Sequence, residues 1–268
     1  MNQLVEILKA NQSFYETVVP FNPRKDKLLL LDFTRNNIEL TDEILKDTRS
    51  FTDYINNKIR EAKAPYGIGG YNEYREVYSR SKVFDAAIPG EEPRRLHLGI
   101  DIWGRPHTPV IAPLDGIVHS FAFNDRPGHY GATIILTHQL QGLSFYTLYG
   151  HLSLNSIKNI QECERIMKGD RFAELGIPVE NDHWPPHLHF QTLHAGPVQI
   201  HFHDGLEDLA RDAAGLTTAI LEDYRGTYGF RPKEIHIVLS DHEDAPNGFA
   251  SSFPYPIVHI RTTAPRWP

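Results

Sequence analysis

Between about Leu96 and Leu193 the chain is written almost entirely in short apolar or alternating runs, cut by glycine, proline and aspartate, with no long stripe at helical spacing. Such a stretch can bury its apolar side chains only by pairing strands. Thr108–Val118 is apolar and β-branched, is interrupted by Pro109 and Pro113, and turns at Asp115-Gly116. The runs ATIILT (132–137) and LSFYTL (143–148) flank Gln141-Gly142, which predicts a hairpin. LHFQTL (188–193) alternates and closes the block. Short strands with turn signals and no long helices between them predict an antiparallel sheet or sandwich.

The flanks differ. In the lead-in, KLLLLDF (27–33) reads as a buried strand. Thr41 is placed to cap a helix whose first turn carries Asp42 and Glu43, and Ile44, Thr48, Phe51, Ile55 and Ile59 recur at helical spacing along it. YGIGGYNEYREVYSRS (66–81) lacks the Gly-Lys-Ser/Thr of a phosphate loop and reads as a loop whose Tyr and Arg residues line a groove. In the tail, Leu206, Leu209, Ala213, Leu216, Ile220 and Tyr224 form a helical stripe, and EIHIVL (234–239) and IVHI (257–260) are strand-like. The expected fold class is α+β: an α/β lead-in over 1–94, a β-rich antiparallel core over 95–195, and a small α/β tail over 196–268.

A chain of 268 residues, 40% hydrophobic and 23% charged, has the profile of a globular protein. Its net charge of 27 − 34 = −7 argues against a general nucleic-acid surface. Cys163 is the single cysteine, so no intrachain disulfide and no thiolate metal cluster can form; it reads as a buried small residue. No segment reaches the ~20 apolar residues of a membrane span. The N-terminal stretch lacks the marks of a secretory signal, which predicts a cytoplasmic protein, or an extracytoplasmic one if the chain is a trimmed piece. The oligomeric state is left open.

Chemistry concentrates in three motifs. His97-Leu-Gly-Ile-Asp101 places a histidine and an aspartate on one face if the segment is a strand, and Gly99 between them leaves room for a metal and a substrate backbone. His187-Leu-His189 puts two imidazoles on one face with Leu188 in the core; one can ligate while the other stands beside the activated water. His151, in YGHLS (149–153), follows a strand and can reach the same pocket. Two histidines, one carboxylate and an open position make a catalytic rather than a structural zinc site. No H-E-x-x-H helix is present, so acid–base work falls to unligated histidine. His119, His129, His138, His183, His194, His236 and His259 read as packed or surface residues. His201-Phe-His203, a second H-x-H, has no H-x-x-x-D partner near it.

HLGID, YGHLS and HLHF in this order, with TPVIAPLDGIV after the first, resemble the M23 peptidase family of the lysostaphin or LytM type. The resemblance covers about residues 95–193 and implies a duplicated-hybrid-motif-like fold. It also implies one Zn2+ ion held by His97, Asp101 and His189, with His151 and His187 as the catalytic pair. His107 departs from the glycine that the family carries before Thr-Pro-Val, which should alter a turn. The family implies peptide-bond hydrolysis by a metal-activated water, often in bacterial cell-wall peptides next to glycine or D-alanine. Residues 27–195 also resemble intracellular members of the family, and 197–268 resemble the segment preceding a TolB-like propeller in large bacterial proteins. The expected activity is zinc metalloendopeptidase, with peptide and no nucleic acid as partner. The rivals are a non-catalytic zinc-containing module that binds peptides or proteins, and a metal-dependent hydrolase of other amides or esters. His187 has a second assignment open, as a positioner of a ligating histidine.

Overall fold

Gln141 and Gly142 carry φ values of 51° and 79°. Left-handed backbone at both positions is the turn whose twist matches two antiparallel strands, and it joins the two longest strands among the described residues, Gly131–Leu140 (β8) and Leu143–Leu152 (β9). The computed structural model describes residues 3–75, 77, 78, 84, 93, 95–125, 129–181, 183–194, 198–201, 210, 213, 217, 235–240, 249–251 and 257–261. The chain forms two compact units, Met1–His194 and Ala195–Pro268.

The first unit opens with the helix Gln3–Ala10 (α1), the strand Leu28–Leu31 (β1), and the helices Asp42–Lys46 (α2) and Thr48–Glu61 (α3). The strands Tyr66–Gly69 (β2), Glu73–Tyr74 (β3), Leu96–His97 (β4) and Ile100–Trp103 (β5) follow. Next come Pro109–Ile111 (β6), Gly116–Asn124 (β7), the β8–β9 hairpin, the helix Leu154–Lys158 (α4), Arg165–Ile166 (β10), Arg171–Glu174 (β11) and His187–His194 (β12). Eight strands make one sheet in the order β1-β2-β5-β12-β9-β8-β7-β10, in which every neighbouring pair but β1–β2 is antiparallel. This is the α+β architecture with a large antiparallel sheet that the strand texture predicts. Beneath it, Val110, Val118, Ile134, Leu136, Tyr149 and Leu188 close one core.

The lead-in departs from the sequence reading in three places. The expected single helix breaks at Asp47, whose carboxylate accepts the Ser50 amide at 2.8 Å and caps α3, while Thr41 caps α2. An aspartate whose side chain satisfies a free helix N–H favours a new start over continuation. KLLLLDF is not a buried strand: β1 lies at the edge of the sheet, with Leu31 at 5% exposure but Leu30 at 74%. The segment read as a loop contains β2 and β3. Glycines are poor strand residues unless another group must come close to the backbone, and side chains do so here. A Cβ on Gly67 would lie 2.5 Å from Leu31 Cδ1, and one on Gly69 would lie 2.5 Å from Arg75 Nη2.

His107 has φ 60°, the left-handed conformation in which a glycine costs nothing, so the residue that departs from the family pattern does sit at a turn. Its amide donates to the Leu175 carbonyl at 2.9 Å, which keeps the turn in place. Cys163 is exposed, contrary to expectation. It too has positive φ (66°), in the turn before β10, and its amide donates to Val118 O at 2.9 Å. The turn turns its thiol outward.

In the second unit, Val198–His201 (β13), Ile235–Ser240 (β14), Phe249–Ser251 (β15) and Ile257–Arg261 (β16) form a sheet ordered β13-β14-β16-β15. β13–β14 and β14–β16 are parallel and β15–β16 is antiparallel. Ala210, Ala213 and Thr217 are helical; the rest of the stripe from Leu206 to Tyr224, like Phe202 and His203, lies outside the described residues. Among the described residues no helix is long and apolar enough to cross a membrane.

Candidate metal centre

β12 is the strand on which the site hangs. It pairs with β5 on one side (His189 opposite Asp101, His187 opposite Trp103) and with β9 on the other (His189 opposite Gly150). Alternation sends Leu188 into the core with no exposure, and His187 and His189 to the opposite face beside Asp101. His97 arrives differently from expectation. It and Asp101 do not share one continuous strand: β4 ends at His97, β5 begins at Ile100, and the chain bends at Leu98-Gly99. Nor does Gly99 leave room for a substrate. The His189 ring fills that space, so a Cβ on Gly99 would lie 2.4 Å from its Cε1 and 2.5 Å from its Nε2.

The result is a tight triangle. His97 Nε2 lies 3.1 Å from His189 Nδ1 and 3.2 Å from Asp101 Oδ1, and His189 Nδ1 lies 3.0 Å from the same oxygen. All three residues are buried, and their ligand atoms form a group that can hold a metal ion. His97 Nδ1–H donates to the Gly70 carbonyl at 3.0 Å, which leaves Nε2 with its lone pair facing the triangle. His189 Nε2 is buried without a hydrogen-bond partner. Two imidazoles and a carboxylate oxygen converging on one point are a donor set suited to a divalent transition metal.

The other two histidines stand alongside. His187 stacks on Trp103 (3.9 Å between centroids, 18° between planes) and donates Nδ1–H to Pro185 O at 2.8 Å; its Nε2 is 4.0 Å from Asp101 Oδ1. His151, with φ 61°, is held by its amide on Tyr130 O at 2.7 Å. Backbone in that region is costly for a side chain with a Cβ and collects at functional sites. Its ring is 4.2 Å from that of His187, it hydrogen-bonds the Asn181 backbone, and its Nδ1 is buried without a partner. Burial pushes His187 down to about 4 and, with the neighbouring His187 and His189, holds His151 well below the usual imidazole range. Both rings are therefore neutral near pH 7 and present a bare nitrogen. They open on a cavity of about 70 Å3 also walled by Arg75, Tyr78, Tyr130 and Trp184.

Asp101 is the electrostatic hinge. Burial alone would raise its carboxyl, but Arg75, ahead of the surrounding imidazoles, holds it well below the usual carboxylate range. The sequence reading of 66–81 as a segment whose Tyr and Arg residues line a groove holds for Arg75 and Tyr78, which wall this cavity. What it missed is the contact of Arg75 with Asp101, because an arginine in a tyrosine-rich stretch carries no motif. The structure thus brings His97, Asp101, His151, His187 and His189 together and adds Arg75. It keeps His138 apart as a core residue, bonded to Asp115 O at 2.8 Å and Thr147 Oγ1 at 2.7 Å.

The model of peptidase family M23 matches residues 95–200, the segment that carries all five histidine and aspartate residues of this centre. Among curated proteins, an uncharacterized metalloprotease of Haemophilus influenzae is 36% identical over 100 residues, which is 36% of this chain and 18% of that protein. Among solved structures, the catalytic domain of the antimicrobial peptidase lysostaphin from Staphylococcus simulans is 23% identical, with a TM-score of 0.35, covering 54% of this chain and 87% of its own. LytU is 26% identical (TM-score 0.32; 41% of this chain, 68% of its own). A zinc containing peptidase from Vibrio cholerae is 23% identical (TM-score 0.30; 41% of this chain, 31% of its own).

Proposed function

We propose that the chain is a zinc metalloendopeptidase that hydrolyses peptide bonds with an activated water, cell-wall-type peptides being its substrate class. The triangle of His97 Nε2, Asp101 Oδ1 and His189 Nδ1, with edges of 3.0–3.2 Å, carries the reading. A tetrahedral zinc with nitrogen and oxygen ligands at about 2.05 Å has ligand–ligand edges of about 3.3 Å, so small adjustments seat the ion. Zinc, when bound, supplies a Lewis acid that polarises the scissile carbonyl and lowers the pKa of an attacking water from 15.7 to roughly 7. His151 accepts the water's proton at Nδ1, the nitrogen left without a partner. The proton that His151 takes up is the one it returns to the developing amine, while His187, its Nδ1–H fixed on Pro185 O, keeps a bare Nε2 toward the site as a hydrogen-bond acceptor that orients the water. Trp103, stacked on that ring, keeps it from turning.

Metal analysis of the purified protein, joined to a cleavage screen of glycine-rich and D-amino-acid peptides, tests the reading. The expected result is bound zinc and hydrolysis that a chelator abolishes and added zinc restores. Zinc retained with neither peptide class cleaved would instead establish a non-catalytic binding module of the same fold. Gly99→Ala supplies a geometric check. Its methyl group enters the space of the His189 ring, so zinc affinity, read by competition with a chromophoric chelator, is expected to fall about 10- to 100-fold, the range seen when a ligand's support is disturbed.

A further inference from the structure

Arg75 comes from outside the segment that matches the peptidase family, yet it is only 2% exposed and reaches the centre of the site. Its Nη1–H donates to Asp101 Oδ2, and its Nε–H donates to Glu73 Oε2 at 2.7 Å. Glu73 is itself tied down, since its other oxygen accepts the Phe33 amide at 3.1 Å. The guanidinium lies over the Phe33 ring at 5.2 Å, and on its far side Gly69 is the only residue type that leaves room for Nη2. Asp101, Glu73, Phe33 and Gly69 thus hold the guanidinium against the carboxylate.

This arrangement divides the Asp101 carboxylate. Oδ1 faces His97 and His189, whereas Oδ2 faces a cation that cannot leave. A free carboxylate has two equivalent oxygens and can grip an ion with both. Doing so fills two positions around the ion and takes up the one that a catalytic site must keep open. A planar, permanently charged fork fixed on one oxygen prevents this, and a lysine, with a point charge and no second arm for Glu73, does so less well.

We infer that Arg75 is a positioning residue that confines Asp101 to one-oxygen ligation and thereby keeps a coordination position free for substrate or water. The inference rests on the metal centre proposed above, and its test separates the two. Cobalt(II) is loaded in place of zinc; its visible absorption is intense in four-coordinate sites and several-fold weaker in five-coordinate ones. The wild-type protein is expected to give the intense four-coordinate band. Arg75→Met is expected to give the weak five-coordinate band and to lower kcat for peptide cleavage about 10- to 100-fold with KM nearly unchanged. Should Arg75→Met not fold, Arg75→Lys reads the same quantity and is expected to show a band weakened in part. A wild-type band in whichever of these variants folds would overturn the role of Arg75 while leaving the metal centre standing. A wild-type protein that takes up no cobalt would overturn the metal centre itself, and the role of Arg75 with it.

Discussion

His151→Ala is expected to lower kcat for peptide hydrolysis by about 10²–10⁴-fold while zinc content is unchanged, the range by which a positioned general base contributes. The separation of the two readouts follows from geometry. His151 is not a corner of the triangle; its ring centroid is 6.5 Å from that of His189, and it meets the site through His187 at 4.2 Å. Alanine carries a Cβ as histidine does, so the substitution leaves the strain at φ 61° near the end of β9 as it was. Steady-state kinetics on a peptide that the wild-type protein cleaves, with metal analysis of the same preparations, makes the comparison. Full activity in the variant would remove His151 from the chemistry. Loss of zinc together with activity would make it a structural support.

His189→Ala is expected to act one level lower, on the metal itself. The variant loses one of three ligand atoms, so its zinc affinity should fall by more than the 10- to 100-fold typical of changes around a ligand, and hydrolysis should drop to background. The sheet should nevertheless stand. Leu188 carries the packing of β12, and the backbone pairs to Asp101 and Gly150 do not use the imidazole. Melting the zinc-free variant against zinc-free wild type is expected to give closely similar transitions, whereas the zinc-loaded comparison should differ strongly, because a ligand that binds only the native state stabilises it by mass action. A variant that retains zinc with wild-type affinity would exclude His189 as a ligand.

Much of the candidate site was legible in the sequence because its chemistry is written in local spacing. A period of two places His187 and His189 together on any strand, and Gln141-Gly142 between alternating runs specifies a hairpin and, through it, the place of His151. What was not legible is set by neighbours distant in the chain. Arg75 meets Asp101 only because β2 pairs with β5 and β3 with β4, and no spacing rule states which strands adjoin. Gly99 was read as vacancy, yet it is filled by a ring from a residue 90 positions later. The break at Asp47 and the outward leucine of β1 have the same origin, a choice between two locally acceptable conformations that a cap in one case and an edge position in the other decides.

The order of strands in the large sheet carries a consequence for how this fold is completed. β12 is the last strand of that sheet in the chain, but it occupies an interior place between β5 and β9. As the polypeptide leaves the ribosome, every earlier strand can emerge and still leave a slot with two raw edges, exposed to misjoining until the final segment arrives. That segment brings two imidazoles with it. On the proposed function, a growing chain is inert toward peptide bonds, its own included, until the closing strand slots home, and the birth of the activity coincides with the completion of the sheet.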